Sequence, residues 1–304
     1  MRRIALTGAS GFIGREMPAL LRARGFEVHC LGRGYAPEGC IGHLIDLIAD
    51  DPAPVLAEIN ATHLLHLAWY AEPGLFWNAL ENLDWVAASL RLVRAFARSG
   101  GERAVFAGSC AEYDWSGAVL DEASTPLMPA TLYGESKAAL FRIIDKAAAE
   151  LNLSISWGRI FFPYGPFEKP GRLLSMLFDS IAFEEPVAFS AGTQLRDFMH
   201  ADDVAAAFMA LLESSVCGAV NVASGQTIAI RAMVERGAEI AGASALVKFG
   251  TRPLQPGEPP VMAAATSRLR NEVGFTPRHS IDTGLADMFR RRPAPLQQEK
   301  IQCS

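Results

Sequence analysis

None of the apolar runs in this chain approaches the ~20 residues that a membrane span needs. The first residues, Met1-Arg2-Arg3-Ile4-Ala5-Leu6, carry two positive charges as a secretion signal would, but Thr7-Gly8 ends the apolar run at once. Lys and Arg form no block and the net charge is −5, so the electrostatic footprint of a nucleic-acid binder is missing. Glycine follows no triplet rule, which excludes collagen. No internal repeat is visible. The five cysteines are odd in number and scattered, the pattern of free thiols in a reducing compartment. His29 and His63 are not spaced with cysteines as a zinc site would be, so no metal is expected. These absences point to a cytoplasmic protein with no nucleic-acid or membrane partner. Core material is plentiful instead. Half of the 304 residues are hydrophobic and a fifth are charged, enough for two small domains or one with a large insertion.

Ile4-Ala5-Leu6 reads as a strand buried on both faces. A glycine-rich turn follows, then a helical stretch over 12–24 that Gly25 stops. Pro18 inside that stretch is expected to remove a hydrogen bond and kink it. Further strands are expected at 26–31, 64–68, 104–108 and 154–160, with helices at 78–98 and 133–151. Strands alternating with helices predict a parallel α/β sheet with right-handed crossovers. After Pro163, Pro and Gly become frequent and strands shorten, which predicts a second, smaller domain. A helix at 203–212 and a strand at 219–222 return to the first. The expected division is 1–162 with about 195–225, then 163–194 with 226–290, then a polar tail at 291–304.

The turn Thr7-Gly8-Ala9-Ser10-Gly11-Phe12-Ile13-Gly14 is G-x-x-G-x-x-G at the first strand-to-helix junction. Glycines there let backbone approach a pyrophosphate, and the helix start offers N–H donors. This position makes a dinucleotide site the expectation and the sheet Rossmann-like and doubly wound. The second strand ends Cys30-Leu31-Gly32-Arg33-Gly34, without the carboxylate that would hold the ribose hydroxyls of NAD. A guanidinium at Arg33 suits a 2′-phosphate, so NADP is expected, with NAD as the alternative. Asp46 is placed to reach adenine or to start a turn.

Tyr133 and Lys137 stand one helical turn apart on one face. An ammonium beside a phenol lowers its pKa, and the phenol can then exchange a proton with a carbinol or carbonyl oxygen. Ser109, just after a strand, can hold the same oxygen.

Together these segments resemble the extended short-chain dehydrogenase/reductase family, in its NAD(P)-dependent epimerase/dehydratase group acting on nucleotide sugars. The segments that carry the resemblance are Thr7-Gly8-x-x-Gly11-x-x-Gly14, Leu67-Ala68, Asn82, Gly108-Ser109-x-x-x-Tyr113, Tyr133-x-x-x-Lys137, Tyr164-Gly165-Pro166 and Arg196-Asp197-Phe198-x-His200-x-x-Asp203. The resemblance implies a catalytic set of Ser109, Tyr133 and Lys137 and a smaller C-terminal α/β domain that holds the sugar nucleotide. It implies cofactor contacts from Gly8, Ser10, Gly11, Phe12, Ile13, Gly14, Arg33, Asp46, Leu47, Leu67, Ala68, Ala107, Tyr133, Lys137 and Phe161. It implies substrate contacts from Ser109, Cys110, Phe162, Arg172, Arg196, Arg252 and Glu258, the arginines as donors to the two phosphates.

Departures from the family patterns narrow the reaction. The 4,6-dehydratases carry Asp-Glu directly after the catalytic hydroxyl residue, where this chain has Cys110-Ala111. The double epimerases use a cysteine two residues after the serine and a histidine after Y-G-P, where this chain has Ala111 and Phe167. Hydride transfer at one carbon is left: reduction of a 4-keto-6-deoxy sugar nucleotide, favoured by Arg33, or 4-epimerisation. A dinucleotide-binding relative without turnover is the reading from a different class. Phe162 makes the pocket more apolar than an asparagine would. Arg196 has the alternative of pairing with Asp197, Asp203 is expected to cap its helix, His66 to pack in the core, and Trp69, Tyr70 and Trp115 to wall the pocket or simply pack. In the helix over 78–98, Leu80, Leu83, Ala87 and Leu90 form one stripe, and Val86 and Val93 face away from Leu83 and Leu90. Leu140, Phe141, Ile143 and Ile144 likewise cannot all face one sheet. Helices apolar on two sides predict a homodimer through a four-helix bundle.

Overall fold

Ile4, Ala5, Leu6 and Thr7 have no exposed surface, and this wholly buried run is the centre of the fold. In this computed structural model, which describes residues 2–34, 36–254 and 257–294, they lie in β1 (Arg2–Thr7). Six more strands join it in parallel: β2 (Phe26–Gly32), β3 (Ile41–Leu44), β4 (His63–His66), β5 (Arg103–Ser109), then, after the short β6 (Val119–Leu120), β7 (Ser154–Ile160) and later β11 (Gly218–Val222). Their order is β11-β7-β5-β4-β1-β2-β3. The order reverses between β1 and β4, which opens a crevice at the strand ends where α/β sheets take ligands. One face is covered by α1 (Met17–Ala23) and α6 (Ala201–Glu213), through Met17, Leu21, Ala205 and Phe208. The other is covered by α2 (Ala53–Ile59), α3 (Glu81–Arg98) and α4 (Leu132–Leu151), through Leu56, Leu92, Phe96, Leu140 and Ile144.

A second core has its own sheet. β8 (Phe162–Tyr164), β10 (Leu195–His200), β12 (Thr227–Ala229) and β14 (Val261–Ala264) pair with one another, and β6 joins at the edge of β14. β9 (Val187–Ala188) pairs with β13 (Val247–Lys248). Leu177, Phe178, Met233, Val234 and Leu285 fill the space beneath α5 (Leu173–Ala182), α7 (Ile230–Ile240) and α8 (Ile281–Arg291).

Several expectations are corrected. Helix α1 starts only at Met17, after a 3-10 turn over Gly14–Glu16, so Pro18 stands in its first turn and causes no kink. β3 and α2 were not anticipated. β10 lies in the second sheet, while α6 and β11 join the first. Arg291 ends α8 and pairs with Asp202 and Asp287, so the tail does not begin there. Residues 295–304 of the expected tail lie outside the described residues. The expected stripe on α3 is split: Leu80 and Leu83 are 72% and 54% exposed, Leu90 packs on the core, and Val93 is buried with Ala88, Leu92 and Phe96.

Candidate active site

The end of β1 is tied to β4 and α3 by a buried polar chain. Thr7 Oγ1 bonds His66 Nδ1 at 2.7 Å and His66 Nε2 bonds Ser89 Oγ at 2.8 Å. His66 is a core residue, and burial pushes its imidazole down to about 3. Thr7 Oγ1 also accepts the N–H of Ala68 at 3.2 Å. The glycine turn therefore has no spare room. Gly8 has φ +75°, and a Cβ on it would stand 2.7 Å from the Ala68 nitrogen. A Cβ on Gly14 would collide with the Gly8 carbonyl. Ser10 and Gly11 stay exposed, with Phe12 and Ile13 half-buried behind them.

At the end of β2, the Arg33 side chain is 79% exposed, and its guanidinium stands 3.9 Å from Asp46 Oδ2. Asp46 Oδ1 accepts the N–H of Ile48, so the residue does start a turn. Leu47 is buried in the core beside it.

Ser109 ends β5 and caps a 3-10 turn over Cys110–Glu112, its Oγ accepting the Ala111 N–H at 3.1 Å. Glu112 Oε1 accepts the Ser109 N–H in return at 2.8 Å. Glu112 has no exposed surface, and it also accepts from Trp157 Nε1 at 2.8 Å and Arg159 Nε at 2.7 Å. Arg159 donates on to Tyr113, whose hydroxyl donates to Asn221 Oδ1. Sequence reasoning missed Glu112, Trp157 and Arg159. The spacing Ser109-x-x-Glu112 was the available signal, because Ser followed three residues later by Glu can cap reciprocally.

Helix α4 brings Tyr133 and Lys137 to Ser109. Thr131 caps it through the Gly134 N–H, and Gly134 lies against the Ala111 carbonyl, where a Cβ would not fit. The Ser109 hydroxyl stands near the Tyr133 phenol and favours its charged form. Lys137 Nζ donates to the Ala107 carbonyl at 2.8 Å. In the free protein, burial raises the Tyr133 phenol, with Ser109 opposing, and presses the Lys137 ammonium down to about 7, with Glu112 opposing. Burial governs the phenol, rather than the lowering by Lys137 expected from their spacing.

Aromatic rings enclose Tyr133. Phe76 stands 4.9 Å away, Trp77 5.9 Å and Trp69 6.5 Å, all edge-on, and Trp115 lies 6.5 Å beyond Trp77. Phe76 and Trp77 were also missed. Buried Asn82 holds this loop: its Nδ2 donates to the Phe76 and Ala79 carbonyls, and its Oδ1 accepts from Trp69 Nε1, each at 2.8 Å.

The expected substrate residues are only partly gathered. Arg172 pairs with Glu168 at 3.4 Å and its charge reaches Tyr133. Burial pushes Glu168 up to about 7. Arg196 donates to Glu258 at 2.8 Å and lies over the half-buried Phe162 ring. Its alternative partner Asp197 is taken by the Ser224 and Gly225 N–H groups and the Ser224 hydroxyl. Cys110 and Phe161 are buried in one small core, where burial pushes the Cys110 thiol up to about 12. Arg252 is exposed against the Met176 sulfur and does not meet Glu258. Asp203 does not cap α6; His200 does, accepting the Asp202 N–H. Asp203 is instead buried and accepts the Arg278 and His279 N–H groups. Among the described residues, His200, Asp202 and His279 bring ligand-type atoms within 4.8 Å of one another. Asp203 holds His279 at 3.1 Å and Arg291 holds Asp202 at 2.8 Å.

The pattern described as NAD dependent epimerase/dehydratase family matches residues 4–223. The chain is 23% identical to the UDP-glucose 4-epimerase of Corynebacterium glutamicum, over 91% of this chain and 92% of that one. It is 26% identical to the dTDP-6-deoxy-L-talose 4-dehydrogenase (NAD(P)(+)) of Kitasatospora kifunensis, over 94% of each. Among solved structures, MoeE5 in complex with UDP-glucuronic acid and NAD superposes with a TM-score of 0.83 and 28% identity, over 95% of this chain and 98% of that one. The Thermus thermophilus UDP-glucose 4-epimerase complex with NAD reaches 0.85 over the same shares at 24% identity, a likeness of fold.

Proposed function

The chain belongs to the NAD dependent epimerase/dehydratase family, and on that premise we propose that it reduces the 4-keto group of a nucleotide-linked 6-deoxy sugar with NADPH. The observation that carries the choice of reaction is Arg33, exposed beside Asp46 at a strand end without a carboxylate for ribose hydroxyls. Selecting the phosphorylated cofactor fits net reduction, whereas an epimerase regenerates its cofactor in every turnover. The turn fits the group: Gly8 and Gly14 let it close tightly, and Ser10 and Gly11 leave its outer backbone exposed at the start of the helix. Gly8, Ser10, Gly11, Phe12, Ile13 and Gly14 would hold the pyrophosphate, Arg33 and Asp46 the adenosine end, and Ala107 and Lys137 the nicotinamide end. Leu47, Leu67, Ala68 and Phe161 would line the rest.

The bound cofactor supplies the hydride. Tyr133 gives the proton from its hydroxyl to the C4 oxygen. Ser109 orients that oxygen through its own hydroxyl. Lys137 supplies positive charge that eases the phenol's proton loss. The aromatic loop excludes water. The second core acts as the substrate domain, with Arg172, Arg196 and Arg252 taking the two phosphates, Glu258 a ribose hydroxyl, and Cys110 and Phe162 the sugar. The family kinship also supports a homodimer through α3 and α4.

4-Epimerisation is the second reading, favoured by the kinship with a UDP-glucose 4-epimerase over nearly the whole chain. A panel of nucleoside-diphospho-4-keto sugars with NADPH, followed at the nicotinamide absorbance, tests both. Cofactor oxidation supports reduction. Appearance of the C4 epimer from a nucleotide sugar, without net cofactor change, replaces it with epimerisation. Cofactor binding without either reaction leaves a non-catalytic relative.

A further inference from the structure

Lys137 is 4% exposed, and one protein carbonyl, that of Ala107, accepts from its ammonium. The other close neighbour of Nζ is the Trp69 ring, whose centroid lies 3.6 Å away. A cation over an indole face is attracted by the ring's quadrupole, and more strongly where water is excluded. The indole itself is clamped. Its Nε1 donates to Asn82 Oδ1 at 2.8 Å, and its other contacts include Trp85, stacked at 6.1 Å. Asn82 is wholly buried and is fixed in turn by the Phe76 and Ala79 carbonyls.

We propose that Trp69 is a positioning residue for Lys137: its clamped indole face seats the ammonium beside Ala107 and helps to keep it charged. The proposal rests on the reading of Lys137 as part of the proton-transfer set. The charged and titratable groups that interact with the ammonium are Glu112 after β5 and His66 on β4; Tyr133 stands one turn away on its own helix, and Arg159 on β7 pairs with Glu112. Glu112 is the anion that favours the charged form, and it is shared with Arg159, Trp157 and the Ser109 backbone. The indole face therefore supplies stabilisation that water cannot reach Nζ to give.

Replacing Trp69 by a smaller residue would mix two opposite effects, because water entering the gap raises the ammonium pKa while loss of the ring lowers it. Fluorinated tryptophans avoid this, since fluorine weakens the ring face with little change of volume. The chain has five lysines, Lys137, Lys146, Lys169, Lys248 and Lys300, so 13Cε-lysine NMR of the cofactor-free protein resolves few signals. A Lys137→Arg variant identifies the Lys137 signal as the one it removes. The Lys137 midpoint should fall stepwise, by about one unit from unlabelled to tetrafluoro-tryptophan protein. In a Trp69→Leu background the same series should be flat, which removes Trp157, 6.0 Å away, as the source. Lys137 acts as the cation, so the basic limb of kcat should move to lower pH along the series. A midpoint that ignores fluorination, or that moves equally without Trp69, overturns the proposal. If Trp69→Leu does not fold, Trp69→Phe keeps a ring at this position that tryptophan labelling leaves unfluorinated, so its series should be flat too; an undiminished slope overturns the proposal. Full activity in a Lys137→Ala variant would instead sink the reading of Lys137, whatever the titrations show.

Discussion

Polar groups crowd both the Ser109 end of the main sheet and the second core, yet the two places hold them differently. Around Ser109, the Glu112 carboxylate accepts three donors, and it and Arg159 are at most 1% exposed. In the second core, Arg196 leans on Glu258, whose side chain is 30% exposed, and Arg252 rests against a thioether at the surface. A diphosphate offers the same kind of acceptor as Glu258, so it can exchange for it. Glu112 has no such competitor. The proposed chemistry thus sits on a closed, buried lattice, while the proposed grip on the nucleotide uses arginines whose present partners are partly exposed or uncharged.

The largest effect should come from breaking the closed side. Glu112→Ala leaves Arg159 buried without its counter-ion, and removal of one partner of a buried pair costs about 3–5 kcal/mol. Urea unfolding reads this directly. A midpoint close to the wild type would show that water repairs the site, and the contrast between the two regions would fail.

Tyr133→Phe removes one hydroxyl and keeps the ring among Phe76, Trp77 and Trp69. Turnover should fall by roughly 10²-fold or more, the usual scale for loss of a general acid, with cofactor affinity retained. Near wild-type turnover on a verified substrate would remove Tyr133 from the mechanism.

The two regions also differed in how legible they were. The glycine turn and the Tyr133–Lys137 pair are local, so spacing alone placed them. Glu112 depends on β5 lying beside β7, which brings Trp157 and Arg159 to it from 45 and 47 residues away. The Arg196–Glu258 pair spans 62 residues, and nothing short-range marks it against the nearer Asp197. β3 is a four-residue edge strand with its residues largely exposed, so it has no apolar signature. Pro18 looked like a helix breaker only because the helix was begun too early. On α3, both sides of the helix are apolar, and periodicity finds stripes without saying which one meets the sheet.

Arg33→Ala sharpens the comparison at the cofactor's far end. The side chain is too exposed for its loss to disturb the fold. A charge-assisted contact to a 2′-phosphate is worth about 1.5–3 kcal/mol, so NADPH should bind roughly 10- to 100-fold more weakly. NADH affinity should stay nearly constant. Equal weakening of both, by fluorescence titration, would make Arg33 a surface residue and remove the ground for preferring reduction.

The smallest effect on folding should come from the outer face of α3 and α4, where the proposed dimer would form. Phe141 is a poor probe of that face, because its ring packs 5.5 Å from Trp157 and 5.0 Å from the Arg159 guanidinium carbon, inside the lattice described above. Leu83, 54% exposed, and Ile143, 49% exposed, are the clean positions. Leu83→Glu should change folding free energy by no more than about 0.5 kcal/mol, as surface substitutions do. Its effect should appear in assembly, since a charge in the middle of an apolar contact of ~800 Å² per partner is hard to bury. Sedimentation at micromolar concentration should then show the wild type as a dimer and the variant as a single chain of 32.8 kDa. A fully active wild-type monomer would end the dimer proposal. A Leu83→Glu protein that still dimerises would move the interface to another face.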